Sequence, residues 1–119
     1  MKMNKYKARK TEVGGIKFDS KKEAVRFMEL QALQRGGYIR NLKRQVPFIL
    51  IEGYRTSSGK AERPCKYIAE FTYHRILADG SFDYVVEDVK GCRKGAAYQI
   101  FTIKKKIMWD KFRIEIKEY

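Results

Sequence analysis

Two short stretches hold the residue types and spacings that could do chemistry. In Val85-Val86-Glu87-Asp88-Val89-Lys90-Gly91 an apolar run leads into an acid and a lysine two residues apart. Upstream, Tyr67-Ile68-Ala69-Glu70-Phe71-Thr72-Tyr73 sets an acid in an aromatic, strand-like segment. Hydrolysis of a phosphodiester needs an attacking water, help for the leaving oxygen and neutralised phosphoryl charge. A bound Mg²⁺ can serve all three needs, and it takes one or two carboxylates plus water and substrate oxygens. Glu70 and Asp88 are the candidate ligands, with a main-chain carbonyl near Val89 as a further donor. Lys90 would orient the water or steady the phosphate. Two carboxylates about 4 Å apart repel by roughly 4 kcal/mol at an effective dielectric near 20, so such a pair favours a cation beside it. The plain structural alternative for the same residues is a cross-strand ion-pair network.

The elements that must position these groups can be read from periodicity. Ser20-Lys21-Lys22-Glu23 has the form of a capping box and opens a helix to about Arg35, ended by Gly36-Gly37. On that helix Ala24, Phe27, Leu30 and Leu33 share one arc. Glu23 falls inside it, as the return partner of the cap, as a third acid directed at the site that would hold the first metal through water or a second metal, or as both. Val13-Gly14-Gly15-Ile16 reads as a tight turn between two short extended pieces. Residues 38–51 form a strand in which Pro47 marks an edge or a bulge, and 52–64 a polar loop. Residues 65–76 form a strand with Tyr67, Ala69, Phe71 and Tyr73 on one face and Ile68, Glu70 and Thr72 on the other. Asp79-Gly80 turns the chain into a strand over 82–90. There Tyr84, Val86, Asp88 and Lys90 share a face opposite to Asp83, Val85, Glu87 and Val89, which ranks Glu87 below Asp88 as a site residue. A second helix spans 96–110, with Lys104 near the middle of an arc of Ala97, Ile100, Phe101, Ile103, Ile107 and Met108. A lone lysine there snorkels or reaches the strand acids. A last strand runs from Phe112 to Lys117. Helix, three strands, helix, strand is the order of an α+β or α/β protein with a mixed central sheet flanked by helices.

Composition bounds the rest. The 119 residues suit one domain over 13–119 behind a basic arm at 1–12. With 44% hydrophobic residues the chain can build a core, and no apolar run approaches the roughly 20 residues of a membrane span. Cys65 and Cys92 form no CxxC and there is one histidine, which argues against structural zinc and for reduced thiols in a cytoplasmic protein. The net charge of +13 is uneven. Residues 1–44 hold 13 Lys/Arg against 4 Asp/Glu and residues 91–119 hold 8 against 3, whereas 45–90 hold 6 against 7. A cationic exterior around an acidic centre suits a polyanion such as DNA, with metal at the reacting bond. Candidate DNA contacts are Lys5, Lys7, Arg9 and Lys10 in the arm and Lys21 and Lys22 at the first helix. Lys60 and Arg63 add to these from the polar loop, Arg93 and Lys94 from the loop after Gly91, and Lys105 from the second helix. His74 lies on the Glu70 face about 13 Å along the strand. Cys92 as a nucleophile and Trp109 as a stacking platform are weaker candidates still.

Four stretches carry a resemblance: Gly15-Ile16-Lys17-Phe18-Asp19-Ser20-Lys21-Lys22-Glu23-Ala24, Gln45-Val46-Pro47-Phe48, Tyr67-Ile68-Ala69-Glu70-Phe71, and Glu87-Asp88-Val89-Lys90-Gly91. Together with the element order they resemble the PD-(D/E)xK nuclease superfamily, and more closely a group of small phage-encoded endonucleases within it. The resemblance implies a restriction-endonuclease-like core. It implies that Glu23, Glu70, Asp88 and Lys90 fill the helix-acid, first-strand-acid, second-acid and lysine positions. The first-strand acid of that pattern is usually aspartate, and here it is Glu70. Also implied are Mg²⁺, with Mn²⁺ as a substitute, and branched DNA as substrate, as for Holliday junction resolvases. A homodimer would make the paired nicks in a bacterial host cell. Two alternatives stand beside this: the same chemistry on duplex or single-stranded DNA ends, and a DNA-binding protein with weakened catalysis.

Overall fold

The computed structural model describes residues 10–119. Lys5, Lys7 and Arg9 of the basic arm lie outside them. Two short strands, β1 (Thr11–Val13) and β2 (Ile16–Phe18), form the expected hairpin through Gly14 and Gly15, both at positive φ. Thr11 and Glu12, assigned to the arm by sequence, are therefore part of a paired strand.

Helix α1 covers Lys21–Arg35. Ser20 caps it: its Oγ accepts the Glu23 backbone N–H at 3.1 Å and donates to Glu23 Oε2 at 3.1 Å. At the other end Tyr38 N–H bonds Leu33 O and Gly37 N–H bonds Gln34 O, with Gly37 at φ 82. That closure needs a left-handed residue after the cap, which glycine adopts without strain.

The central sheet has four strands in the order β3 (Ile39–Ile51), β6 (Cys65–Ile76), β7 (Phe82–Asp88), β8 (Lys117–Glu118). β3, β6 and β7 are antiparallel neighbours and β8 runs parallel to β7, so the sheet is mixed. Helix α2 (Ala96–Phe112) crosses from β7 to β8. The fold is α+β. Two features correct the sequence reading. The 52–64 loop contains a small hairpin, β4 (Tyr54–Arg55) and β5 (Ala61–Glu62). The last strand begins not at Phe112 but at Lys117. The helix continues to Phe112 and stops at Arg113, whose φ of 57 turns the chain out before it can pair.

Two layers of core flank the sheet. One gathers Phe18, Ala24, Phe27, Leu30, Ile39, Phe71, Tyr73, Val85 and Val89 under α1. The other gathers Leu50, Tyr67, Ala69, Val86, Phe101, Met108 and Ile116 under α2. Tyr67, Ala69, Phe71 and Tyr73 thus do not share one face: the first two pack under α2 and the last two under α1. The change occurs at Glu70. On the neighbouring strand Gln45 takes φ 54, between the paired positions Arg44↔Phe71 and Val46↔Ala69. A left-handed non-glycine residue inside a strand breaks the alternation locally. On α1, Leu33 is exposed and Arg26 is buried in its stead; on α2, Ile100 and Ile103 are exposed while Phe101 and Met108 are buried. No helix among the described residues is long and apolar enough to cross a membrane.

Candidate active site

An open pocket of about 370 Å³ lies where α1, β6, the end of β7 and α2 meet. Glu23, Glu70, Asp88, Lys90 and Lys104 all line it, joined by Asp19, Gln45, Tyr67 and Phe101. All five residues that the sequence marked as catalytic are therefore brought together from four elements. Glu23 serves both of its readings at once. Its backbone is capped by Ser20, and its carboxylate, oriented by the Ser20 hydroxyl, borders the pocket.

Asp88 is 4% exposed, and its Oδ2 lies 3.0 Å from Lys90 Nζ. Lys90 also sits over the face of Phe101, 3.7 Å from the ring centre. The ring and the carboxylate fix the ammonium from two sides. Backbone bonds hold both residues in place. Tyr119 N–H donates to Asp88 O at 2.8 Å, Lys90 N–H donates to Tyr119 O at 3.0 Å, and Lys22 Nζ donates to Lys90 O at 2.9 Å.

The electrostatics centre on Glu70. Burial, followed by the charges of Glu23 and Asp88, pushes its carboxyl up to about 9, against a smaller opposing effect of the Val89 amide. Burial also raises Asp88, and Lys90 pulls it back down. Glu70 Oε2 is buried without a hydrogen-bond partner, and so is the Tyr67 hydroxyl. An unpartnered buried carboxylate oxygen between two further acids is an environment that a cation would relieve. Among the described residues no three His, Cys, Asp or Glu side chains form a ready-made metal cage. Mg²⁺ does not need one, since it keeps several waters beside one or two carboxylates. Glu70 and Asp88, with Glu23 near, are the residues that fit it.

Strand alternation separates Glu87 from this group, and its surroundings explain its presence. It is 1% exposed on the α1 side, bound by Arg26 through Nε at 2.8 Å and Nη2 at 2.7 Å, with the Tyr73 hydroxyl donating to the same carboxylate. The Tyr119 ring covers the Arg26 guanidinium at 3.7 Å. Sequence reasoning missed Arg26, although the signal was there. At 100° per residue Arg26 falls about 40° from Leu30, inside the apolar arc that singled out Glu23.

The candidate DNA contacts divide. Lys10, Lys21, Lys22, Lys60, Arg63, Arg93 and Lys94 are exposed. Lys105 is half-buried and paired with Glu118 at 2.7 Å, a carboxylate that also accepts from Tyr98 and lies 3.4 Å from Arg93 Nε. Among the weaker candidates, Cys92 is exposed and its thiol faces Lys94 O. Trp109 is 52% exposed beneath the Arg113 guanidinium. Neither lines the pocket.

No curated protein and no solved structure matches the chain. A family model does, across nearly all of its length: residues 3–118 match the family described as a protein of unknown function (DUF1064), and the chain belongs to that family.

Proposed function

We propose that this protein is a metal-dependent endodeoxyribonuclease with a restriction-endonuclease-like core, acting on branched DNA as a junction resolvase. The observation that carries the reading is the convergence of Glu23, Glu70, Asp88, Lys90 and Lys104 on one pocket in a strongly cationic chain. The central order α1, β3, β6, β7, α2, β8 supports it as well, being the helix, three strands, helix, strand of the nucleases that the sequence resembles.

Glu70 and Asp88 would hold Mg²⁺, with Glu23 as a water-mediated or additional ligand. The bound ion would supply a polarised phosphoryl oxygen and a more acidic water. Lys90, fixed by Asp88 and Phe101, presents its ammonium to the pocket, where it orients the attacking water or balances phosphate charge. Lys104 adds a second cation from α2. The buried rings of Tyr67 and Phe101 beside the site lower the local dielectric and strengthen each of these interactions.

A four-way junction offers two symmetric strands, so the active form is a homodimer making paired nicks. The test is cleavage of a synthetic four-way junction. Paired nicks are expected with Mg²⁺ or Mn²⁺, and neither EDTA-treated protein nor Asp88→Ala should cut. Junctions, flaps and duplexes all left intact by the metal-loaded parent would overturn the reading. Efficient cleavage of duplex or single-stranded ends with the junction spared would move the same chemistry to that substrate.

A further inference from the structure

The outer end of the central sheet carries a second surface that the pocket does not use. His74 and Tyr84 are register partners across β6 and β7, with ring centres 5.1 Å apart. Phe82 stands edge-on to His74 at 6.1 Å. The Arg40 guanidinium lies over Phe82 at 4.1 Å. Phe82 is 47% exposed and Tyr84 41% exposed. Between them and β3 is a recess of about 300 Å³ lined by Asn41, Lys43, Val46, Thr72, His74 and Tyr84, with no Asp or Glu among its walls. The neighbouring Asp83 is tied to Arg75 at 2.7 Å.

Rings half-open to solvent, beside Arg40 and Lys43 that form no ion pair with another described residue, make a surface for a stacked, negatively charged ligand. Every nucleobase has a π-face, and a positively charged groove tracks the phosphates between bases. A planar arginine already seated on an aromatic ring extends such a platform. The position matters too. His74 lies four residues beyond Glu70 along β6, and Tyr84 lies four residues before Asp88 along β7. Four residues of strand span about 13 Å, or about four nucleotides at the duplex rise of about 3.4 Å.

We propose that Arg40, Lys43, His74, Phe82 and Tyr84 form a binding platform for single-stranded DNA, which holds a strand that becomes unpaired where the branch point opens beside the nuclease pocket. This rests on the nuclease reading for its substrate class, and its test does not depend on cleavage. The measurement is fluorescence anisotropy with a labelled oligo-dT and with a duplex of equal length, both in EDTA. Phe82→Ala/Tyr84→Ala should weaken single-strand binding at least about fivefold for each base that loses its ring. Tyr84→Phe, which keeps the ring, should bind as the parent does, and duplex affinity should hold in all variants. An equal loss on duplex and single strand, or no loss at all, would overturn the platform. So would a dimeric parent turned monomeric by the double substitution, since that would make the surface a contact between copies of this chain. A parent that never cuts but shows the single-strand loss would sink the nuclease reading alone.

Discussion

At the scale of the residue, Glu70 decides most. Its carboxyl is held near 9 by burial and by Glu23 and Asp88, so without metal it carries a proton at neutral pH. An acid raised above its unfolded value contributes stability that is complete below the unfolded pKa and is lost as pH rises through the folded one. The metal-free protein should therefore lose stability between about pH 5 and 9. Glu70→Gln, neutral throughout, should flatten that decline, and urea melts across the range would show it. An unchanged slope in the variant would mean that Glu70 is not the titrating group. The extra methylene relative to aspartate adds reach, and Glu70 sits where β6 passes from one core layer to the other. A longer side chain there can still enter the pocket.

Elements show where sequence reasoning succeeds and where it stops. Both helices, the three long strands and the Gly14-Gly15 hairpin were legible because their signals are local: a capping box, a glycine closure, alternation and turn residues. Asp88 and Lys90 were separated from Glu87 by alternation alone, and the Arg26 clamp on Glu87 supports that separation. What was not legible depends on neighbours. The change of face at Glu70 goes with Gln45 on another strand, the start of β8 depends on Arg113 adopting a left-handed conformation, and the exposure of Leu33, Ile100 and Ile103 reflects what the helices fail to cover. The buried Arg26–Glu87 pair makes a prediction at this scale. Breaking a buried pair by removing one partner costs about 3–5 kcal/mol, whereas replacing both with apolar groups costs much less. Arg26→Leu should therefore lower stability by that amount in denaturant melts, and Arg26→Leu/Glu87→Leu should recover part of it. A double variant less stable than the single would refute this account.

For the molecule as a whole, charge is the governing feature. Among the described residues, exposed Lys21, Arg63 and Lys94 form no ion pair and Lys60 pairs only with Glu62, at 3.2 Å. A polyanion bound through about six phosphate contacts should give a slope of about −5 when log affinity is plotted against log salt. A flat response in a salt titration would remove DNA as the ligand. Under the nuclease reading, the cationic surface would let an acidic pocket face DNA. Surface lysines and arginines draw the polymer in over distances comparable to the Debye length, about 8–10 Å at moderate salt, whereas the acids act only at contact.

The two backbone bonds between Tyr119 and the Asp88–Lys90 segment have a further consequence. They join the end of β7 to the last residue of the sequence, 31 and 29 positions apart, in one unit of local unfolding. When Lys117–Tyr119 detaches, Asp88 loses the partner of its carbonyl, Lys90 loses the partner of its amide, and Arg26 loses the ring that covers it. The pocket and β8 thus open and close together, and under the nuclease reading metal binding would favour the state in which that short strand is docked.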